Sequence, residues 1–237
     1  MMTKVILPTL IFNEHLSIEQ QVTRIKEYGA DGIEVRREHL LDLDTELGIF
    51  KRSIEASGLD PIIYSVPIEL WLDSDSLNPL AITAIKEAEL LKATHIKFSL
   101  GKFRANHTNA DKFIDWLETT LPRGMKLLIE NDQSTYGGSM HSIRSFFQWI
   151  KGASVSLTFD VGNWSVNGED WREAYDSLHQ WIEYLHLKSV RKAEEGCESL
   201  PPLNEYLEIP FPNYIAIEFP LADPNREAPE WVNKLKG

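Results

Sequence analysis

The chain has 237 residues, 43% of them hydrophobic and 25% charged, which suits one large domain with a sizeable core and excludes a disordered chain. The formal net charge is −12, so no nucleic-acid partner is expected, because phosphate binding needs a cationic face. Cys197 is the only cysteine, which rules out an internal disulfide and fits a reducing cytoplasm.

The N-terminal stretch MMTKVILPTLIFNEH lacks a cationic leader, a long apolar core and a small-residue cleavage site, and reads as a strand rather than a signal peptide. No apolar run is long enough to span a bilayer, so no membrane partner is expected. The first strand is placed at Lys4–Leu10. Ser17-Ile18-Glu19-Gln20 then reads as a capping box opening a helix with the stripe Ile18, Val22, Ile25 and a stop at Gly29. Strands follow at Gly32–Arg36 and Pro61–Val66. Asn78-Pro79 starts a helix carried by Ile82, Ile85 and Leu90, and a strand follows at His95–Leu100. After the strand Lys126–Glu130, Ser139 can cap a helix whose face is Ile143, Phe146, Phe147 and Ile150, with Gly152 at its end. The strand Val155–Asp160 leads to a helix marked by Trp171, Tyr175 and Leu178. The last strands are Ile182–Lys188 and Tyr214–Phe219. Between them, Arg191–Asn213 holds two consecutive prolines and one short helix candidate, Leu203–Leu207, and the final helix, Pro229–Lys236, is also short. No run meets the next across a tight turn, so hairpins are not expected.

Alternating β and α elements imply a parallel sheet, either closed or doubly wound. The strands decide between them. Leu127 and Ile129 alternate with Leu128 and Glu130; Leu157 and Phe159 with Ser156, Thr158 and Asp160; Leu185 and Leu187 with Tyr184, His186 and Lys188; Ile215 and Ile217 with Ala216 and Glu218. A doubly wound sheet, buried on both faces, would show near-continuous apolar runs. One apolar face under helices and one small or polar face fit a barrel interior. No glycine-rich fingerprint follows the first strand. The expected fold is therefore a single-domain (β/α)₈ TIM barrel over residues 1–237, with its last two units abbreviated.

Glu130, Asp160, His186 and Glu218 end the inward faces of strands five to eight. In a barrel those ends converge on one mouth, where active sites are built. Three carboxylates brought together repel, and a divalent cation removes the conflict. Three carboxylates and an imidazole make a mostly oxygen site suited to Mn²⁺ or Mg²⁺, with Co²⁺ as a further candidate and Zn²⁺ less natural.

The motifs GADGIEVR, LLIENDQ, LTFDVGNW, YLHLKSV and YIAIEFP resemble the strands of the xylose isomerase-like barrel superfamily. They are most similar to its sugar-phosphate isomerase/epimerase branch, which includes hydroxypyruvate isomerases and ketose 3-epimerases. The resemblance runs over nearly the whole chain. It implies one divalent metal on Glu130, Asp160, His186 and Glu218, with Glu130 and Glu218 as the acid/base pair on opposite faces of a small polyol or hydroxy-ketone. Among the substrate-facing candidates, Glu34 and Arg36 come from the second strand, Lys97 lies in the fourth, and Lys188 and Arg191 follow the histidine, where the superfamily often places a basic residue; Asn163 stands where many members carry a histidine. The second glutamate that the epimerases carry beyond strand five is missing from NDQSTYGG. Such a site supports isomerisation or epimerisation through an enediolate, with dehydration of an inosose or 3-dehydroshikimate type of substrate, or a non-catalytic sugar-binding barrel, as alternatives. The endonuclease branch needs extra histidines and a cationic face, which this chain lacks. A homo-oligomer is compatible with these features.

Overall fold

In this computed structural model, which describes residues 2–12, 16–107, 109–150, 154–193 and 196–237, the chain alternates strands and helices. In order they are β1 (Lys4–Pro8), α1 (Ile18–Glu27), β2 (Gly32–Arg36), α2 (Leu43–Ser57), β3 (Ile62–Trp71) and α3 (Leu80–Leu91). Then come β4 (His95–Gly101), α4 (Ala110–Thr120), β5 (Lys126–Glu130), α5 (Met140–Trp149), β6 (Val155–Asp160), α6 (Val161–Val166) and α7 (Trp171–Leu178). The chain closes with β7 (Ile182–Leu187), β8 (Ser189–Lys192), β9 (Cys197–Leu200), β10 (Tyr214–Ile217) and α8 (Pro224–Lys236). Strands β1 to β7 and β10 form a closed parallel barrel in the order β1-β2-β3-β4-β5-β6-β7-β10. It is an α/β TIM barrel, as the alternation predicts. No helix among the described residues is long and apolar enough to cross a membrane.

The two faces of each strand sort as the period of two requires. Ile33, Val35, Leu127, Ile129, Leu185 and Ile215 are fully buried in the large core between sheet and helices. A second, smaller apolar cluster of Ile6, Ile63, Leu128, Tyr184 and Ala216 fills the barrel itself. Four of those five residues come from β1, β3, β5 and β7, the odd strands, which is how barrel interiors are layered. The intervening strands carry Glu34, Lys97 and Thr158, all buried. Glu130, His186, Asp160 and Glu218 stand toward the C-terminal ends. The polar site thus rests on a closed apolar plug.

Several elements differ from the sequence reading. Ser189–Lys192 and Cys197–Leu200 pair as an antiparallel hairpin, with Gly196 at φ 79° near its turn. These strands are polar and half exposed, packed on α6, so no apolar alternation marks them. The short helix candidate near Leu203 is a 3₁₀ turn, Asn204–Leu207. The last helix begins at Pro224 rather than Pro229, so it runs 13 residues with Pro229 inside it. Ser139 precedes α5 without capping it; the Glu169 carboxylate takes the Met140 N–H instead, at 3.1 and 3.0 Å. The Ser17 capping box is present. Gly152, expected to stop α5, lies outside the described residues.

Candidate metal centre

Asp160 is the last residue of β6 and the N-cap of α6. Its Oδ1 accepts the N–H groups of Gly162 at 3.0 Å and Asn163 at 3.1 Å, which fixes the carboxylate and leaves Oδ2 to the charged groups at the barrel mouth. Its backbone is held too. The Asn131 side chain accepts from Asp160 N at 2.8 Å and donates to Asp160 O at 2.9 Å. Asn163 donates to Asn131 O at 2.9 Å and accepts from Gln133 at 3.1 Å. The NDQ stretch after β5 therefore clamps the end of β6.

His186 is fully buried and its two ring nitrogens face different partners. Nε2 lies 3.0 Å from Glu34 Oε2, which also accepts the Tyr184 hydroxyl at 2.7 Å. Glu34 thereby holds the proton on Nε2 and turns Nδ1 toward the carboxylates. Nδ1 lies 2.9 Å from Glu130 Oε1 and 3.1 Å from Glu218 Oε2. These are contacts without hydrogen-bond geometry, so Nδ1 has no hydrogen-bond partner, while the buried Asp160 Oδ2 is ion-paired with Lys188 at 2.6 Å. One donor atom from each of Glu130, Asp160, His186 and Glu218 lies within 4.8 Å of the others. Buried polar atoms left without partners are costly. A partnerless Nδ1 facing three carboxylates is the arrangement a divalent cation satisfies, so the residues fit a metal with three oxygen donors and one nitrogen.

Three cations are packed against this set. Lys188 Nζ lies 2.6 Å from Asp160 Oδ2 and 2.7 Å from Glu218 Oε2. Lys97 Nζ lies 3.0 Å from Glu130 Oε1 and 3.2 Å from Glu34 Oε1. Arg36 pairs with Glu218, with Glu34 at 3.4 Å, and with Glu38 at 2.8 Å. Burial opposes ionisation of Glu218, yet His186, Lys188, Lys97 and Arg36 outweigh it and hold the carboxyl well below the usual range. Burial likewise opposes ionisation of Glu130, and Lys97 keeps it lowered against the neighbouring Glu218. Asp160 goes the other way. Burial pushes its carboxyl up to about 7; Lys188 opposes this, while Glu218 and Glu130 add to it.

The four expected ligands are thus brought together, and so are Lys97 and Glu34, although these are buried at 1% and 0% exposure and act from beneath the site. Arg191 is not brought there. It lies on the exposed hairpin and pairs with Glu198 at 2.5 Å. Arg36, from β2, is the arginine that touches Glu218. Asn163 has both ends of its amide engaged by Asn131 and Gln133, so it serves the clamp. Trp164 is fully buried beside Phe159, at 5.4 Å between ring centroids. Tyr184 and Asn131 were not singled out from the sequence. The inward alternation of β7 marks Tyr184, but nothing local marks Asn131. Next to the site, Thr9 and Glu38 border a cavity of about 630 Å³ that also takes in Phe12 and Phe50. Thr9 accepts the Arg36 N–H at 3.2 Å.

No protein-family profile matches this sequence, and no curated protein matches it. Solved structures do. A probable 3-DHS dehydratase of Bacillus anthracis superposes with a TM-score of 0.71 at 15% identity, over 99% of both chains. A D-allulose 3-epimerase from Methylomonas sp., solved with D-allulose, gives 0.68 at 12% identity, over 98% of this chain and 90% of that one. A protein described as AP endonuclease, family 2, from Brucella melitensis gives 0.67 at 11% identity, over 98% and 99%. At these identities the likeness is one of fold, and the three proteins differ in what they do.

Proposed function

The chain has the fold of the xylose isomerase-like TIM barrel superfamily, and from that premise we propose that it is a divalent-metal-dependent isomerase or epimerase of a small sugar, sugar phosphate or hydroxy-ketone. One observation carries the reading: donor atoms of Glu130, Asp160, His186 and Glu218 converge within 4.8 Å, with His186 Nδ1 buried and without a hydrogen-bond partner. Three carboxylates favour Mn²⁺ or Mg²⁺. Bound there, the cation supplies Lewis acidity to adjacent carbonyl and hydroxyl oxygens.

The protein's own groups do the proton work. Glu130 and Glu218 both lie close to His186 Nδ1, and the cations around them, Lys97 for Glu130 and His186, Lys188, Lys97 and Arg36 for Glu218, keep them ionised, as bases must be at neutral pH. One removes a proton from the carbon beside the carbonyl. Return of the proton to the neighbouring carbon gives an isomer; return by the opposite carboxylate gives an epimer. Glu34, held by Tyr184, keeps the His186 ring in the orientation that presents Nδ1. A dehydratase is the second reading, favoured by the full-length superposition on the Bacillus anthracis protein. It needs an acid for the departing hydroxyl, and the Asn163 amide, engaged at both ends, does not provide one.

The test is to incubate Mn²⁺-loaded protein with ketoses, hydroxypyruvate, an inosose and 3-dehydroshikimate in D₂O, and to follow product mass. A product of unchanged formula carrying solvent deuterium supports the proposal, and one lighter by a water shifts the assignment to the dehydratase. Glu130→Gln and Glu218→Gln, assayed at saturating metal, are each expected to lower turnover by about a hundredfold or more. Activity within a few-fold of wild type would remove that residue as a base.

A further inference from the structure

Lys188 follows β7 and takes the next inward position after His186. Its side chain is only 8% exposed, and its ammonium lies 2.6 Å from Asp160 Oδ2 and 2.7 Å from Glu218 Oε2. Both atoms belong to the set that would hold the cation. The place is made for it: a Cβ on Gly162, at the start of α6, would come within 2.7 Å of Lys188 O and 3.1 Å of Lys188 Cγ, so only glycine leaves room for this backbone and stem. The other two cations have partners elsewhere. Lys97 also rests on Glu34, and Arg36 on Glu34 and Glu38. Among the described residues, the ion pairs of Lys188 are to Asp160 and Glu218 alone.

We propose that Lys188 is a built-in rival of the divalent cation: its ammonium occupies the ground between Asp160 and Glu218 and sets how tightly the metal is held. This rests on the reading of Glu130, Asp160, His186 and Glu218 as the metal ligands. In the metal-free protein the ammonium neutralises two buried carboxylates and keeps the site assembled. A cation drawing on the same oxygens must either displace the ammonium or bind beside an unscreened like charge, and both weaken its hold. The consequence is a site that exchanges its metal readily.

The experiment is a Mn²⁺ titration, with free Mn²⁺ read by electron paramagnetic resonance, on wild type, Lys188→Met, Lys188→Arg and His186→Ala. Lys188→Met removes the charge and keeps the length; it is expected to bind Mn²⁺ roughly tenfold tighter or more. Lys188→Arg keeps the charge and is expected to stay within a few-fold of wild type. Metal-free Lys188→Met is also expected to melt below wild type and to recover with Mn²⁺. Equal or weaker affinity in Lys188→Met overturns the rivalry, while loss of binding in His186→Ala leaves the ligand set standing. Absence of binding in all four proteins overturns both. If Lys188→Met does not fold without metal, the wild-type protein decides. Its Lys188 Nζ resonance, identified by its loss in Lys188→Arg, should move when Mg²⁺ saturates the site, and an unmoved resonance overturns the proposal.

Discussion

Glu34 is the residue on which the geometry of the site turns. Its carboxylate meets His186 Nε2 at 3.0 Å, the Tyr184 hydroxyl at 2.7 Å and Lys97 at 3.2 Å, with no exposure to solvent. Burial works against its charge, but Lys97, His186 and Arg36 outweigh burial and hold it well below the ordinary carboxylate range. A carboxylate behind a ligating imidazole raises its basicity and fixes its ring. Glu34→Gln keeps an acceptor but loses the charge, so Mn²⁺ affinity is expected to fall by about 10- to 100-fold. Tyr184→Phe removes one of several partners of Glu34, and a drop of only a few-fold is expected. Titration of both variants with Mn²⁺ checks the order; an unchanged affinity in Glu34→Gln would show that His186 is oriented by packing alone.

At the scale of the elements, two polar ties set where strand ends lie. Asn131, just past β5, makes both a 2.8 Å and a 2.9 Å hydrogen bond to the backbone of Asp160 at the end of β6. Asn131→Ala removes both of these hydrogen bonds from the buried Asp160 backbone, at an expected cost of about 1–3 kcal/mol in urea unfolding, together with weaker metal binding. The second tie is at the opposite end of the barrel, where Glu183 of β7 meets Lys126 of β5 at 2.6 Å and lies 3.7 Å from His95 of β4. Burial opposes the charge of Glu183, but its polar neighbours His95, Lys126 and Ser156 outweigh it and bring the carboxyl down to about 2, from an ordinary 4.5. A lowered folded-state value means stability that is fully present above pH 4.5 and is lost as the pH falls toward 2. Lys126 is 48% exposed, so solvent screening reduces the contribution to roughly 1–2 kcal/mol. Glu183→Gln is expected to flatten the unfolding free energy across that window; an acid limb identical to wild type would show that the tie contributes nothing.

The whole molecule is a closed barrel plugged below and charged at one mouth, and its overall charge is −12. A ligand that binds only the folded state stabilises it, by about 2.7 kcal/mol at a hundred times its Kd. For a chain of this size that corresponds to a rise in Tm of roughly 5–10 °C. Mn²⁺ at that excess should produce such a shift in wild type and little in His186→Ala, by calorimetry. The same barrel occurs in a protein described as an AP endonuclease, but an excess of acidic groups repels a phosphate backbone. No retardation of duplex DNA is therefore expected at low salt, with or without Mn²⁺, and a salt-sensitive complex would reopen that reading.

What the amino-acid order determined by itself is what repeats locally. A period of two placed Glu130, Asp160, His186 and Glu218 on the inward face, and regular strand spacing with helices between implied a parallel barrel whose strand ends share a mouth. The same logic located β2, β5 and β6 to the residue. Closure decided the rest. Glu34 meets His186 across 152 residues and Arg36 meets Glu218 across 182, and nothing near either residue announces its partner. Arg191 follows the histidine in sequence, yet the polar β8–β9 hairpin carries it outward, while Arg36 reaches Glu218 from β2, on the other side of β1. That Lys188 stands between Asp160 and Glu218 depends on register and on the room left by Gly162. Periodicity belongs to the chain; ion pairing belongs to distance in space, and only the folded barrel brings those distances below 4 Å.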